Sequence, residues 1–170
     1  MLNEDKTITR ALNMALNYLS YQARTIQEMQ NYIKNKGFSE DIVEKIIEIL
    51  KDQNYLNDRK FARQFVETRI KTKAKSKFAL EYELRQKGIK PCDIDDLLKE
   101  YDDQNLALKA IHPKIKTWQN LDIDKLKKKI INFLRYRGFN YDICLSTLNL
   151  FLESKLMEKE DDCECARQSW

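Results

Sequence analysis

RYRGF, at residues 135–139, nearly repeats two earlier stretches of the chain, KNKGF at 34–38 and RQKGI at 85–89. Each copy holds one of the three glycines of the 170-residue chain, and these glycines are 51 and 50 residues apart. Apolar residues stand four and eight positions before each glycine, which is the spacing of one helix face. A glycine that directly follows a helix supplies the left-handed backbone of a C-terminal cap. The pattern therefore predicts three copies of a helical unit.

Residues that start helices stand at matching places in the copies. Thr25 opens a capping-box pattern, Thr-Ile-Gln-Glu, twelve residues before its glycine, and Ser76 stands twelve residues before the next glycine. Asp122 begins the corresponding helix of the third copy about one turn earlier. Residues that favour the start of another helix follow each glycine: Ser39, Pro91 and Asn140. Each copy thus has a helix on both sides of its glycine, and a further helix precedes them.

These units indicate an all-α fold of three tandem three-helix repeats. A lone unit of this size buries too little apolar surface to offset its chain entropy, so neighbouring units should stack. We expect the stacked repeats to form an elongated, curved array. The predicted divisions are 1–54, 55–101 and 102–154 for the repeats, and 155–170 for an acidic C-terminal tail.

Apolar spacing also predicts the outer helices of each repeat. The first helices are expected at 7–21, 59–72 and 103–111, and the third helices at 39–52, 91–101 and 140–154. Pro113 should end or kink the helix that begins at 103, because proline lacks a backbone donor and crowds the preceding turn.

Composition narrows the class of protein further. Three glycines and two prolines are too few for the many turns of a β-sandwich or barrel, whereas 34% charged and 42% apolar residues are typical of amphipathic helices. No apolar run is long enough to span a membrane, and the acidic start is unlike a secretory signal, so we expect a cytoplasmic protein. The four cysteines should be reduced, and a single histidine gives no metal-site pattern; the role of Cys163 and Cys165 stays open.

Positive charge is concentrated in two blocks. Residues 59–90 carry a net charge of +8 and residues 105–139 carry +7, although the whole chain carries only +4. An anionic partner that touches part of the surface is one explanation, and ordinary solvated helix faces are the other.

The candidate binding residues lie in these blocks and in the first glycine stretch. The densest run, 69–77, is expected to be a short extended linker, and its cations are Arg69, Lys71, Lys73, Lys75 and Lys77. Arg85 and Arg135 hold equivalent, outward places in successive repeats, and Lys128 and Lys34 would extend them into a row. The cations next to the glycines have a structural explanation instead, as partners of the helix dipole: Lys36, Lys87 and Arg137.

One combination of stretches resembles a known family. YLNDRKFARQFVETR, at 55–69, is followed by ELRQKGI at 83–89, among tandem three-helix units. This arrangement is similar to the RecX family of bacterial recombination regulators, over roughly residues 8 to 153. The chain departs from the family pattern at Asn54 and Ser76, where members often carry glycine, but asparagine tolerates left-handed backbone and serine caps helices.

The resemblance implies a regulator without catalytic chemistry or cofactor. Such a protein binds RecA or the RecA filament on single-stranded DNA, limits filament growth and tempers recombination and the SOS response. We further expect a monomer that binds no membrane and binds free DNA weakly and without sequence preference.

Two other functions are compatible with the residues. A helical DNA-binding module would place one helix in the major groove of duplex DNA and need no RecA. A helical adaptor would recognise another protein and use its charge only for solubility, so its affinity would be insensitive to salt.

Overall fold

The computed structural model describes residues 2–118 and 121–153, which contain nine α-helices and no strand. The predicted tail at 155–170 lies outside the described residues, and so do Cys163 and Cys165. Within the described part, no helix has the length and apolar character needed to cross a membrane. The helices are α1 (Leu2–Tyr21), α2 (Ile26–Asn35), α3 (Glu40–Asp52), α4 (Asp58–Lys73), α5 (Lys77–Gln86), α6 (Pro91–Leu98), α7 (Asp103–Trp118), α8 (Ile123–Tyr136) and α9 (141–153).

The predicted glycine corners are confirmed. Gly37, Gly88 and Gly138 follow α2, α5 and α8, and their φ angles are +84°, +79° and +88°. Left-handed backbone of this kind strains any side chain with a Cβ, which explains why glycine recurs at this point. The fold is therefore all-α, with three successive groups of three helices.

The predicted helix starts are confirmed as well. Thr25 and Glu28 form the complete capping box: the Glu28 amide donates to Thr25 Oγ1 at 3.1 Å, and the Thr25 amide donates to Glu28 Oε2 at 3.2 Å. The Ser76 hydroxyl accepts from the Ala79 amide at 3.2 Å. Further side-chain caps are made by Asn57, Asp122 and Asn140. Ser39 holds the N-cap position of α3 but makes no side-chain cap.

Two predicted helix ends were wrong. α7 continues through Pro113 to Trp118, beyond the predicted end at 111. Trp118 is buried and packs edge-to-face on Phe133, with ring centroids 5.3 Å apart, so tertiary packing outweighs the backbone bond lost at the proline. α6 ends at Leu98 rather than at 101, because Asp102 caps α7 by accepting from the Asn105 amide at 2.9 Å.

The expectation of an extended basic linker at 69–77 was also wrong. Helix α4 continues to Lys73 and α5 begins at Lys77, so only residues 74–76 are non-helical. The charge alternation resembles a strand pattern, but lysines at the end of α4 also suit the negative end of the helix dipole. Ala74 is buried, which fixes this connection against the protein.

The buried apolar stripe that the glycine spacing predicted is present in each repeat. The stripe residues of all three repeats are at most 1% exposed: Met29 and Ile33, Leu80 and Leu84, and Ile130 and Leu134. In the first repeat α1 and α3 complete the core around Met29 and Ile33, with Ala11, Ala15, Val43 and Ile46 fully buried.

Consecutive repeats meet through a contact that involves the second-helix cap. Thr25 Oγ1 donates to the Lys87 carbonyl at 2.7 Å, beside Gly88, and the Ile26 amide donates to Asp58 Oδ1 at 2.9 Å. The start of α2 is therefore held by two parts of the next repeat: its glycine corner and Asp58, the first residue of α4.

An equivalent contact, in which a backbone amide replaces the hydroxyl as donor, occurs between the second and third repeats. The Ser76 amide donates to the Arg137 carbonyl at 3.1 Å, beside Gly138, and the Lys77 amide donates to Asp103 Oδ1 at 2.8 Å. Thr25 and Ser76 are both completely buried there, although they are polar. Each uses its backbone and hydroxyl groups in hydrogen bonds, as buried polar groups require.

The chain forms two compact units whose limits differ from those of the repeats. The first unit is Met1–Glu67 with Glu81–Lys99, and the second unit is Thr68–Leu80 with the described part of Glu100–Trp170. Each unit contains one of the two contacts between repeats, because a second-helix cap packs on the glycine corner that follows it.

These contacts predict unequal costs for alanine at the three glycines. G37A should cost only the left-handed strain of about 1–2 kcal/mol, since nothing lies within 4 Å of an added Cβ. At Gly88 that Cβ would lie 2.5 Å from the Gln27 Cβ, and at Gly138 it would lie 2.7 Å from Ser76 Oγ. G88A and G138A should therefore lower the free energy of unfolding, measured in urea, by about 1–3 kcal/mol more than G37A. Equal losses in the three variants would contradict this account.

Candidate functional site

The nine predicted binding residues divide between the two units. Lys34 and Arg85 belong to the first unit, in the last turns of α2 and α5. The other seven belong to the second unit. They lie at the end of α4, in the connection 74–76, at the start of α5 and along α8: Arg69, Lys71, Lys73, Lys75, Lys77, Lys128 and Arg135.

Both predicted cations of the first unit have a nearby carboxylate. Lys34 Nζ lies 2.8 Å from Glu40 Oε1, and Arg85 Nη2 lies 2.6 Å from Glu81 Oε1 one turn earlier on the same helix. All four side chains are at least partly exposed, so these pairs add little stability. Their local neutralisation nevertheless makes Lys34 and Arg85 weaker attractors of an anionic partner.

In the second unit, the connection between α4 and α5 touches the end of α8. Besides the bond from the Ser76 amide to the Arg137 carbonyl, Arg137 Nη1 donates to the Ala74 carbonyl at 2.8 Å. These contacts bring the 71–77 segment next to residues 135–138. We call these two segments together the basic junction.

Most cations of the basic junction are available to a partner. Among the described residues no ion pair involves Lys71, Lys73, Lys77 or Arg135, and Lys128, two turns before Arg135 on α8, has none either. Lys71, Lys73, Lys128 and Arg135 are exposed. The predicted set of residues is thus partly assembled, with its unpaired charges in the second unit.

Arg137 has a structural role that is larger than the expected interaction with a helix dipole. Its guanidinium stacks over the Phe133 ring, 4.7 Å from the centroid, while Nη1 holds the Ala74 carbonyl. Burial lowers the pKa of Arg137 from its ordinary value. Lys87 is used similarly in the first unit, where Nζ lies 2.8 Å from Glu28 Oε1 and 5.5 Å from the Phe61 ring.

Two exposed aromatic residues accompany the basic junction. Tyr136 and Phe78 are 81% and 73% exposed, an unusual state for large aromatic side chains. Neither residue is among the nine predicted binding residues. The signal was present, because Phe78 stands two residues before Leu80 and therefore lies off the apolar face of α5.

Comparison with known families matches all three repeats of the chain. Residues 11–50 match the first three-helix domain of RecX, residues 57–98 match the second, and residues 100–148 match the third. A regulatory protein RecX from Prosthecochloris aestuarii is 36% identical over 87% of this chain and 97% of its own length. This chain belongs to the RecX family.

Other RecX proteins agree with this assignment but differ in length. A regulatory protein RecX from Streptococcus agalactiae is 31% identical over 88% of this chain, which spans only 58% of that relative. The crystal structure of RecX from Lactobacillus salivarius superposes with a TM-score of 0.72 at 28% identity, covering 85% of this chain and 96% of the other. The three-repeat helical fold is therefore shared with a solved RecX structure.

The role of Arg137 can be separated from a simple charge effect. R137K keeps the positive charge near the helix end but loses the planar group that stacks on Phe133 and reaches Ala74. We expect R137K to lower the free energy of unfolding by about 1–2 kcal/mol. The exposed control R135K should change it by no more than about 0.5 kcal/mol. If urea denaturation gave the same loss of unfolding free energy for both variants, Arg137 would act only as a partner of the helix dipole.

Proposed function

We propose that this RecX chain regulates the RecA recombinase by binding RecA or its filament on single-stranded DNA. Binding limits filament growth and recombinase activity, and thereby tempers recombinational repair and the SOS response. The chain acts as a non-catalytic binding protein without a cofactor, as a monomer in the cytoplasm, and it binds free DNA only weakly. Membership of the RecX family and the basic junction support this proposal.

The unpaired cations of the basic junction are the observation that carries it. A filament of RecA on DNA is a polyanion through its phosphates, and cations attract such a surface over a Debye length of about 8 Å at physiological salt. The basic junction needs to break no ion pair at Lys71, Lys73 or Arg135 before it meets this partner.

Arg69, Lys75 and Lys128 have secondary roles in the second unit, and Lys34 and Arg85 have secondary roles in the first unit. Lys34 and Arg85 must first give up Glu40 and Glu81, so each contributes less net attraction. Lys128 lies about 10 Å along α8 from Arg135, which is close enough to contact the same anionic surface of the partner.

Charge reversal tests the basic junction. We expect K71E/K73E/K77E to raise the concentration needed to inhibit RecA-catalysed strand exchange by about tenfold or more, because attraction of three cations becomes repulsion. The matched control is K6E/K51E/K90E, which makes the same charge change on exposed lysines of the first unit. Inhibition by the control should stay close to that of the unchanged chain.

Two measurements keep the outcome interpretable. Circular dichroism should show the same helical content for both triple variants, and thermal unfolding should show the same midpoint. Inhibition that weakens equally in both would show that only net charge matters and would reject the basic junction as the interface. Tight, sequence-selective binding to duplex DNA without RecA would favour the DNA-binding module instead.

A further inference from the structure

The first unit contains a small open cleft that the proposed function does not use. Its volume is about 180 Å³, below the roughly 300–1,000 Å³ of pockets that hold drug-sized ligands, and it suits one planar group. The cleft lies between the segment after α1 and the beginning of α4. The lining residues are Ala23, Arg24, Asn54, Tyr55, Asn57, Lys60, Phe61 and Gln64.

Arg24 supplies a positive group to this cleft and has unused hydrogen-bonding capacity. Its guanidinium stacks on Tyr18, 4.2 Å from the ring centroid, and Tyr18 itself stacks on Tyr32 at 4.0 Å. This stack fixes the orientation of Arg24. Arg24 Nε is buried, and it has no hydrogen-bond partner among the described residues. Arg137 Nε is in the same state, so this donor supports a ligand only together with the cleft and its other lining residues.

The other lining residues select for an anion with an aromatic part. Lys60 adds a second cation, and none of the residues that line the cleft is acidic. Tyr55 is 57% exposed and Phe61 also lines the cleft, so the cleft offers aromatic surface beside its charges. The side-chain amides of Asn54 and Gln64 can donate and accept hydrogen bonds, as the edge of a nucleobase does.

The turn that carries these groups has a fixed backbone. Asn54 has a φ of +57°, the one positive value outside glycine among the described residues, and its amide donates to the Lys51 carbonyl at 2.9 Å. The Tyr55 amide donates to the Leu50 carbonyl at 2.9 Å, and Asn57 caps α4 through the Lys60 amide. A site held this way loses little conformational entropy on binding.

We propose that this cleft binds one nucleotide of a single-stranded nucleic acid. The base stacks against Tyr55 and Phe61 with its edge on the amides, and the adjoining phosphate meets Arg24 and Lys60. Aromatic rings and cations in one groove are the arrangement by which proteins hold single strands without sequence preference. An acidic segment of a protein would use the two cations but leave the aromatic surface unmatched. The site deepens the weak binding of free DNA in the proposed function, and because it needs no RecA it can be tested separately from RecA regulation.

Photo-crosslinking tests the site directly. The full-length chain, without RecA, is irradiated with an oligo-dT that contains 5-iododeoxyuridine, and the cross-linked residues are mapped by mass spectrometry. We expect cross-links at Tyr55 or Phe61. Y55A should lower both the cross-linking yield at Phe61 and the affinity for the labelled oligonucleotide by about fivefold or more, from the loss of one stacking contact. Y141A is the matched control, because Tyr141 is 55% exposed and belongs to the second unit.

Further variants and a competitor complete the test. K60Q and Q64A are exposed changes that should weaken binding even if R24Q disturbs the fold. Excess thymidine monophosphate that competes fully, at the affinity of the oligonucleotide, would assign the cleft to a free nucleotide rather than to a strand and overturn the proposal. Cross-links confined to Phe78, Tyr136 or Tyr141, or none, with unchanged affinity in Y55A and K60Q, would overturn it as well. An acidic peptide as the true occupant would give this last result.

Discussion

The structure depends on the contact between the start of a second helix and the glycine corner of the following repeat. Thr25 and Ser76 are buried polar residues, and burial of this kind destabilises the fold unless their groups are hydrogen-bonded. The corners beside Gly88 and Gly138 supply the missing partners through main-chain carbonyls, and a side chain on either glycine would separate the two surfaces. A three-helix group that cannot bury a sufficient core alone gains specific partners from its neighbour in this way. The limits of the two compact units follow, because each unit is built around one such contact.

The same contact separates cations that are used inside the fold from cations that are available to a partner. Lys87 and Arg137 stand next to the corner glycines, and both are used internally, on Glu28 and on the Ala74 carbonyl. The cations that remain available to a partner lie farther from the corner glycines. Examples are Arg135 and the lysines at the end of α4. A basic stretch of sequence therefore mixes two populations, and their different burial distinguishes them: Arg137 is partly buried over Phe133, whereas Arg135 is exposed.

The sequence predicts features that depend on a few neighbouring residues. Left-handed glycines, the capping box at Thr25 and the buried stripes follow from local backbone preferences and helical spacing, and the structure confirms them. The errors have both distant and local causes. Pro113 lies inside α7 because Trp118 packs on Phe133, and residues 69–73 are helical where an extended chain was expected. The sequence shows directly which residues of the candidate site are cationic. It does not show that Lys34 and Arg85 form ion pairs, or how Arg24 is oriented, because these depend on tertiary packing.

The helical course of residues 69–73 changes how a basic run can bind. An extended flexible linker could follow phosphates, but each lysine would lose backbone as well as side-chain freedom when it bound. In the basic junction, the backbone is already ordered by α4, by buried Ala74 and by the bond from Ser76 to Arg137. Only side-chain freedom remains to be lost, so a modest number of lysines can give useful affinity. Because their spacing is fixed, they should also favour a surface with regularly spaced charges, which an ordered nucleoprotein filament offers and a flexible free strand does not.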